Sequence, residues 1–211
     1  MQSDDILTHQ GMTQNGKGAR ILLLACGALA REILALIERN AWTHIDLKCL
    51  PAILHNAPEK ITPLIREKVL EHQDHYDRIF VVYADCGTGG QLQMACDALG
   101  VEMMAGPHCY SFFEGNAEFA ARDEFTAFYL TDFLVRQFDA FVREPLGLDR
   151  YPDLRDTYFA HYTKLVYQSQ IYDETLLKQA QGYADELGLG FEHRHTGFGD
   201  LENALNDQLC N

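Results

Sequence analysis

The chain has 211 residues, with 17 Lys plus Arg against 31 Asp plus Glu and a formal net charge of −14 with His neutral. Nucleic-acid binding rests on cationic side chains displacing phosphate counterions, so this balance argues against a nucleic acid as partner and equally against an anionic lipid surface. No stretch approaches the roughly 20 apolar residues of a membrane span, and no membrane association is expected.

Residues 1–19 are polar and mixed in charge, without the apolar core of a signal peptide. They read as a flexible tail ahead of a single domain over residues 20–211, and the expected location is the cytoplasm. Six cysteines fall in strands, at strand ends and in helices rather than in a loop-rich scaffold, which favours free thiols, ligands or a nucleophile over disulfides.

Ile21 to Ala25 is a continuous apolar block, the pattern of a strand covered on both faces, and it breaks at Cys26-Gly27. Leu29, Ile33, Leu34, Leu36 and Ile37 then recur at helical spacing, with Arg31, Glu32 and Glu38 expected to face water. Ile45 to Leu50 reads as a second strand ended by Pro51, and Ile61 to Leu70 as the next helix. Arg78 to Ala84 is β-branched and aromatic, a third strand running straight into Asp85-Cys86-Gly87-Thr88-Gly89-Gly90. A helix over Gln91–Leu99 and a fourth strand over Val101–Ala105 follow.

Beyond this point the spacing predicts an aromatic helix from Asp123 to about Val142, a helix from about Pro152 to Gln168 and another from about Asp173 to Leu187. A short strand over Leu189–His195 and a helix over Asp200–Leu205 close the chain. Strands alternating with helices predict an α/β fold: one three-layer domain with a mainly parallel sheet of about five strands and extra C-terminal helices.

In such sheets the ligand crevice lies outside the carboxyl ends of the strands. Those positions hold Cys26, His55, Asp85 with Cys86, His108 with Cys109, and His193 with His195. Singly, a buried cysteine or a hydrogen-bonded histidine is an ordinary core residue. Jointly, Cys26, Cys86 and Cys109 occupy equivalent turns of three different strands, whereas Cys49 and Cys96 do not. This pattern predicts a metal site with Cys26, Cys86, Cys109 and His108 as ligands, and with His55 completing or flanking the sphere. Soft thiolates suit zinc, iron or an iron-sulfur cluster and disfavour magnesium and calcium.

Asp85 is the expected proton-transfer group. Gly87, Thr88 and Gly89 are expected to point backbone amides at an anion, although a tight strand-to-helix turn explains the glycines equally well. The loop lacks the Walker Lys-Ser/Thr ending and the GxGxxG spacing, so no nucleotide is expected. Tyr158, His161, Tyr162 and Leu165 would share one helix face, read as half-buried surface. Asp132, a carboxylate among Tyr129, Leu130 and Phe133, must be paired, exposed or functional, and is assigned a supporting catalytic role.

The segments Leu24–Gly27, Leu54–Pro58, Tyr83–Gly89, His108–Tyr110 and Phe128–Leu134 resemble domain-of-unknown-function family 1638, over about Arg20 to Leu205. The resemblance implies a role around one-carbon or methylated-amine metabolism, because that family is associated with gene neighbourhoods of corrinoid proteins and methylamine-type methyltransferases. The chain has no Asp-x-His-x-x-Gly segment like that of corrinoid carrier domains, and His193-Arg194-His195-Thr196-Gly197 is only superficially similar. The resulting expectation is a metal-dependent lyase, hydrolase or transferase acting on a small methylated or one-carbon-related molecule, with a corrinoid protein or methyltransferase as macromolecular partner. The alternatives are a metal-binding accessory or chaperone protein for corrinoid-dependent methyl transfer, and a metal-free enzyme using Cys86 as nucleophile.

Overall fold

Leu22, Leu23, Leu24, Ala25 and Cys26 are almost wholly buried because β2 (Ile21–Cys26) is the central strand of a five-stranded sheet. The computed structural model describes residues 3–18 and 20–209. The chain divides into two compact units, Met1–Cys109 and Tyr110–Asn211.

In the first unit, β2 pairs in parallel with β3 (Ile45–Leu50) on one side and β4 (Arg78–Val82) on the other. The short β5 (Glu102–Met103) extends the parallel run beyond β4, and β1 (Met12–Gln14) adds an antiparallel edge to β3. The sheet order is therefore β1-β3-β2-β4-β5. The crossovers carry α2 (Ala30–Arg39), α3 (Ile61–His72) and α4 (Gln91–Leu99), whose sequence-predicted positions agree closely. Glu32 is an exception to the amphipathic reading: it is buried on α2 with Ile33, Leu36 and Ile37.

The segment expected to be a flexible tail folds onto this unit, apart from residues 1, 2 and 19, which lie outside the described residues. Ser3 caps α1 (Asp4–His9) by accepting the Ile6 amide, and Leu7 is buried. Arg31 donates from Nε and Nη2 to the two carboxylate oxygens of Asp4 at 2.8 and 2.9 Å. Gly27 allows the close approach, since a Cβ there would meet the Leu7 carbonyl oxygen at 2.4 Å. The sequence signal was weak because a buried leucine, a two-point ion pair and the short β1 ladder hold a segment that is otherwise polar.

The second unit holds a three-stranded parallel sheet in the order β6-β7-β8, built from β6 (Ala127–Thr131), β7 (Lys164–Ser169) and β8 (Gly190–His195). Its helices are α5 (Ser111–Glu114), α6 (Asn116–Arg122), α7 (Asp132–Arg136), α8 (Arg155–Tyr158), α9 (Glu174–Leu187) and α10 (Gly199–Leu209). Two sequence expectations are corrected here. The predicted aromatic helix over 123–142 is instead β6, α7 and a π-helical turn at Asp139–Arg143. Ala127 and Tyr129 pack on one face while Phe128 and Leu130 pack on the other, so the true period is two. Thr131 Oγ1 then caps α7 by accepting the Leu134 amide at 3.3 Å.

The predicted helix over 152–168 is likewise a 3-10 turn at Pro152–Leu154, then α8, then β7. Tyr158, His161, Tyr162 and Leu165 therefore share no helix face: the first lies on α8, Leu165 on β7, and the two between them in the connection. The predicted strand at 189–195 exists as β8, but in this second sheet rather than as a fifth strand of the first. The α/β class itself stands, with a mostly parallel five-stranded sheet and helices toward the C-terminus. Among the described residues no helix is long and apolar enough to cross a membrane.

A charged network spans β6, β7 and β8. Arg194 Nη2 donates to both carboxylate oxygens of Glu124 at 2.9 Å and its Nε donates to Glu192 at 2.6 Å. Lys164 bridges Glu124 and Glu192 at 2.8 and 2.5 Å. Burial pushes the Glu124 carboxyl up, but donation from Lys164, Tyr129 and Arg194 outweighs it and holds the group at about 2, below its ordinary 4.5. A folded-state value below the unfolded one stabilises the fold above the unfolded value, and that contribution is lost as pH falls through the folded one. The stability difference between wild type and Glu124→Gln is therefore expected to be constant above pH 4.5 and to shrink between 4.5 and about 2, as read by urea unfolding. A difference independent of pH over this range would contradict the assignment.

Candidate metal centre

β2 and β4 run in register from Ile21↔Arg78 to Ala25↔Val82, which brings Cys26 and the segment after β4 to the same sheet edge. Cys26 is the last residue of β2, fully buried, and its Sγ accepts the Ala28 amide at 3.4 Å. After β3, Pro51 stops the ladder and the chain turns through a 3-10 segment at Ala52–Asn56 that carries His55. After β4, the amides of Asp85 and Cys86 donate to the carbonyls of Gly106 and Pro107 at 2.9 and 3.1 Å, tying this turn to the one that carries Cys109. Three turns and the end of β2 thus deliver an imidazole and three thiols to one place.

The ligand atoms of His55, Cys86 and Cys109 all lie within 4.8 Å of one another. Cys86 Sγ and Cys109 Sγ are 3.1 Å apart, and both residues are only 7% exposed. Cys26 flanks the group, its Sγ 3.7 Å from His55 Nδ1 and in contact with Cys109. His55 Nδ1 also lies 3.1 Å from the Ala52 carbonyl oxygen, which orients the ring by accepting its proton. Cys86 sits in the left-handed region at φ 47°, unusual for a residue with a side chain and of the kind that clusters at functional sites.

The resolved shifts in this cluster all favour keeping a proton. Burial pulls the His55 imidazole down, but its contacts with Cys109 and Cys86 outweigh burial and carry it well above its usual value. Contact with Cys109, and then burial, pushes the Cys86 thiol up; Cys109 is raised foremost by Cys26. Two thiolates and an imidazole are a donor set for zinc or iron.

The other sequence-predicted site residues have different places. His108 is exposed and outside the ligand group, because adjacent residues in this turn point to opposite sides and Cys109 takes the inward one. Asp85 organises its own loop: its carboxylate accepts Thr88 Oγ1 at 3.0 Å and the amides of Gly90 and Gly89 at 2.6 and 3.2 Å. The Gly90 amide foremost, with Thr88 and Gly89, holds the Asp85 carboxyl below its usual range against a burial cost. The loop read as an anion nest at Gly87, Thr88 and Gly89 is thus occupied by Asp85 itself, whose lone pairs are committed to the turn.

Asp132 belongs to the second unit, where it is buried at the start of α7, just past β6. It accepts the Tyr167 hydroxyl at 2.6 Å and the Ile171 amide at 3.1 Å, and burial raises its carboxyl. His193 Nε2 and His195 Nδ1 meet at Ser169 Oγ in that same unit, at 2.9 and 3.1 Å. Cys49 and Cys96 are buried away from the ligand group, as expected, and Cys210 lies outside the described residues. One neighbour of the thiols escaped the sequence reading: Tyr83, wholly buried just past β4 and within the field of Cys26, Cys109 and Cys86. Its only sequence signal was an aromatic residue three positions before Cys86.

The family model described as Protein of unknown function (DUF1638) matches residues 49–205, well over half of the chain. This chain belongs to that family. The matched span of the DUF1638 model contains His55, Cys86, Cys109 and Asp132, while Cys26 precedes it. No curated protein and no solved structure matches the chain.

Proposed function

We propose that this DUF1638 chain is a metal-dependent enzyme whose centre is built on His55, Cys86 and Cys109. The observation that carries the reading is the convergence of these three ligand atoms within 4.8 Å, from turns far apart in sequence and at the carboxyl edge of a parallel sheet. Zinc or iron held there would act as a Lewis acid on a small molecule bound at the position the protein leaves open. The substrate class we assign, a small methylated or one-carbon-related molecule, draws on the family resemblance.

Cys26 favours a second reading. If its sulfur joins the sphere, four protein groups close it, as in structural or carrier sites rather than catalytic ones. The chain would then hold its ion for delivery to a corrinoid protein or methyltransferase. A metal-free cysteine enzyme is less well supported, since the attacking species is the thiolate and the Cys86 thiol is held protonated by Cys109 and by burial.

Elemental analysis of anaerobically purified wild type and Cys26→Ala separates these readings. Bound zinc or iron in both proteins, with azide or imidazole perturbing the metal's spectrum in wild type, is the enzyme expectation. Metal lost only from Cys26→Ala is the carrier expectation. A wild type that takes up neither zinc nor iron overturns both.

A further inference from the structure

Ser169 is the last residue of β7, at the edge of the second sheet where its parallel strands finish, and ligands of α/β folds bind at that edge. The parallel register sets His193 beside Tyr167 and His195 beside Ser169, so all four share one face of the sheet. The buried Ser169 Oγ lies 2.9 Å from His193 Nε2 and 3.1 Å from His195 Nδ1. A hydroxyl needs a single acceptor for its proton, so two imidazoles are more than the burial of a serine demands. Stacking fixes both rings, Tyr167 on His193 at 5.3 Å between centroids and Tyr172 on His195 at 3.9 Å. The Tyr167 hydroxyl is itself held by Asp132. A cavity of about 340 Å³, large enough for a small ligand, is lined by Ser169, His193, Tyr167, Ile171, Tyr172 and Leu177.

A serine hydroxyl becomes a nucleophile when an unprotonated base stands within about 3 Å of its oxygen. His193 is such a base: burial foremost, and then His195, hold its imidazole below the usual value against the pull of Asp132. We infer that Ser169 is the nucleophile and His193 the general base of a second active site, which transfers the acyl group of a small ester to water. Ser169 Oγ bonds to the carbonyl carbon as its proton passes to His193 Nε2; the bond to the alcohol oxygen breaks, and the alcohol leaves with that proton. Water then adds to the acyl carbon and gives a proton to Nε2, which returns it to Oγ as the acid departs. The rim of the cavity sets the charge of the substrate. Asp173 already accepts the Thr175 and Leu176 amides at 2.8 and 3.2 Å at the N-terminus of α9, and Glu174 adjoins it, so a neutral or cationic ester is favoured over a carboxylate or phosphate. This activity is independent of the metal reading, because Ser169 and His193 belong to the second unit and the thiol group to the first.

Two neutral probes test this on the full chain, with a chelator in excess so that an ion at the thiol centre contributes nothing. Diisopropyl fluorophosphate loses fluoride to an activated serine, and 4-nitrophenyl acetate reports acyl transfer. Wild type is expected to gain one diisopropylphosphoryl group, mapped to Ser169 by peptide mass spectrometry, and to release 4-nitrophenol from the ester. Ser169→Ala is expected to take up no label and to lose ester cleavage. His193→Ala, verified as folded by circular dichroism, is expected to slow both reactions by about 100-fold, as removal of a general base does. A wild type that takes up no label, or carries it only on a tyrosine, overturns the inference whatever the variants do. Ester cleavage by Ser169→Ala at the wild-type rate also overturns it, and labelling of His193→Ala at the wild-type rate overturns the pairing of base and nucleophile. Each of these failures leaves the thiol centre untouched, since zinc or iron content is measured without the chelator.

Discussion

Cys86→Ala and Cys109→Ala are each expected to lose zinc binding by more than about 100-fold, since removing even the groups that merely orient a ligand costs 10–100-fold. Two properties of the site make the effect large. Cys86 and Cys109 supply both sulfurs of the three-residue group, and their Sγ atoms are already 3.1 Å apart in a buried setting that water cannot easily replace. Cys49→Ala and Cys96→Ala are the matched controls: each removes an equally buried thiol outside the ligand group and is expected to leave zinc affinity at the wild-type value. Competition against a chromophoric chelator reads all four variants, and circular dichroism verifies their folding. Undiminished affinity in both Cys86→Ala and Cys109→Ala would reject the ligand assignment.

Asp132→Ala is expected to lower the unfolding free energy by about 3 kcal/mol, because it strands a buried Tyr167 hydroxyl and the Ile171 amide without their acceptor. Asp132→Asn, which keeps one oxygen, is expected to lose roughly half as much. Zinc stoichiometry should stay at the wild-type value in both, since Asp132 works within the β6–β7 region of the second unit and is no part of the thiol group. Urea unfolding and metal analysis on the same preparations give the two readouts. An Asp132→Ala protein as stable as wild type would return this carboxylate to the catalytic role that its sequence context suggested.

Several elements of the first unit were legible because one physical signal dominated each. The apolar block at Ile21–Ala25 has no alternative but a doubly covered strand, and Pro51 ends β3 at Leu50 by removing a ladder donor. Once the strands were placed, the shared carboxyl edge brought Cys26, His55, Cys86 and Cys109 together without any local spacing motif. Competing signals blurred the second unit. Aromatic residues at 125, 128, 129, 133, 138 and 141 satisfy a helical stripe as well as a strand, and only the pairing of β6 with β7 decides between them. Tyr162 and Leu165 could likewise extend a helix until Lys164–Ser169 is claimed by strands on both sides.

Side-chain direction was the other unreadable quantity. His108 and Cys109 are neighbours in one turn, and sequence cannot say which faces inward. Asp85 beside a glycine loop reads as a base near an anion nest, yet a carboxylate of that length reaches back to the Gly89 and Gly90 amides and fills the nest itself. Tyr83 looked like one more apolar residue of β4, because the cost of its orphan hydroxyl becomes visible only when burial and partners are known together.

X-ray absorption at the zinc edge of the reconstituted protein tests the central claim most directly. The account predicts a mixed first shell, with sulfur at about 2.3 Å and imidazole nitrogen at about 2.0 Å, the sulfur component collapsing in Cys86→Ala. A shell of oxygen and nitrogen alone, unchanged by that substitution, would contradict it.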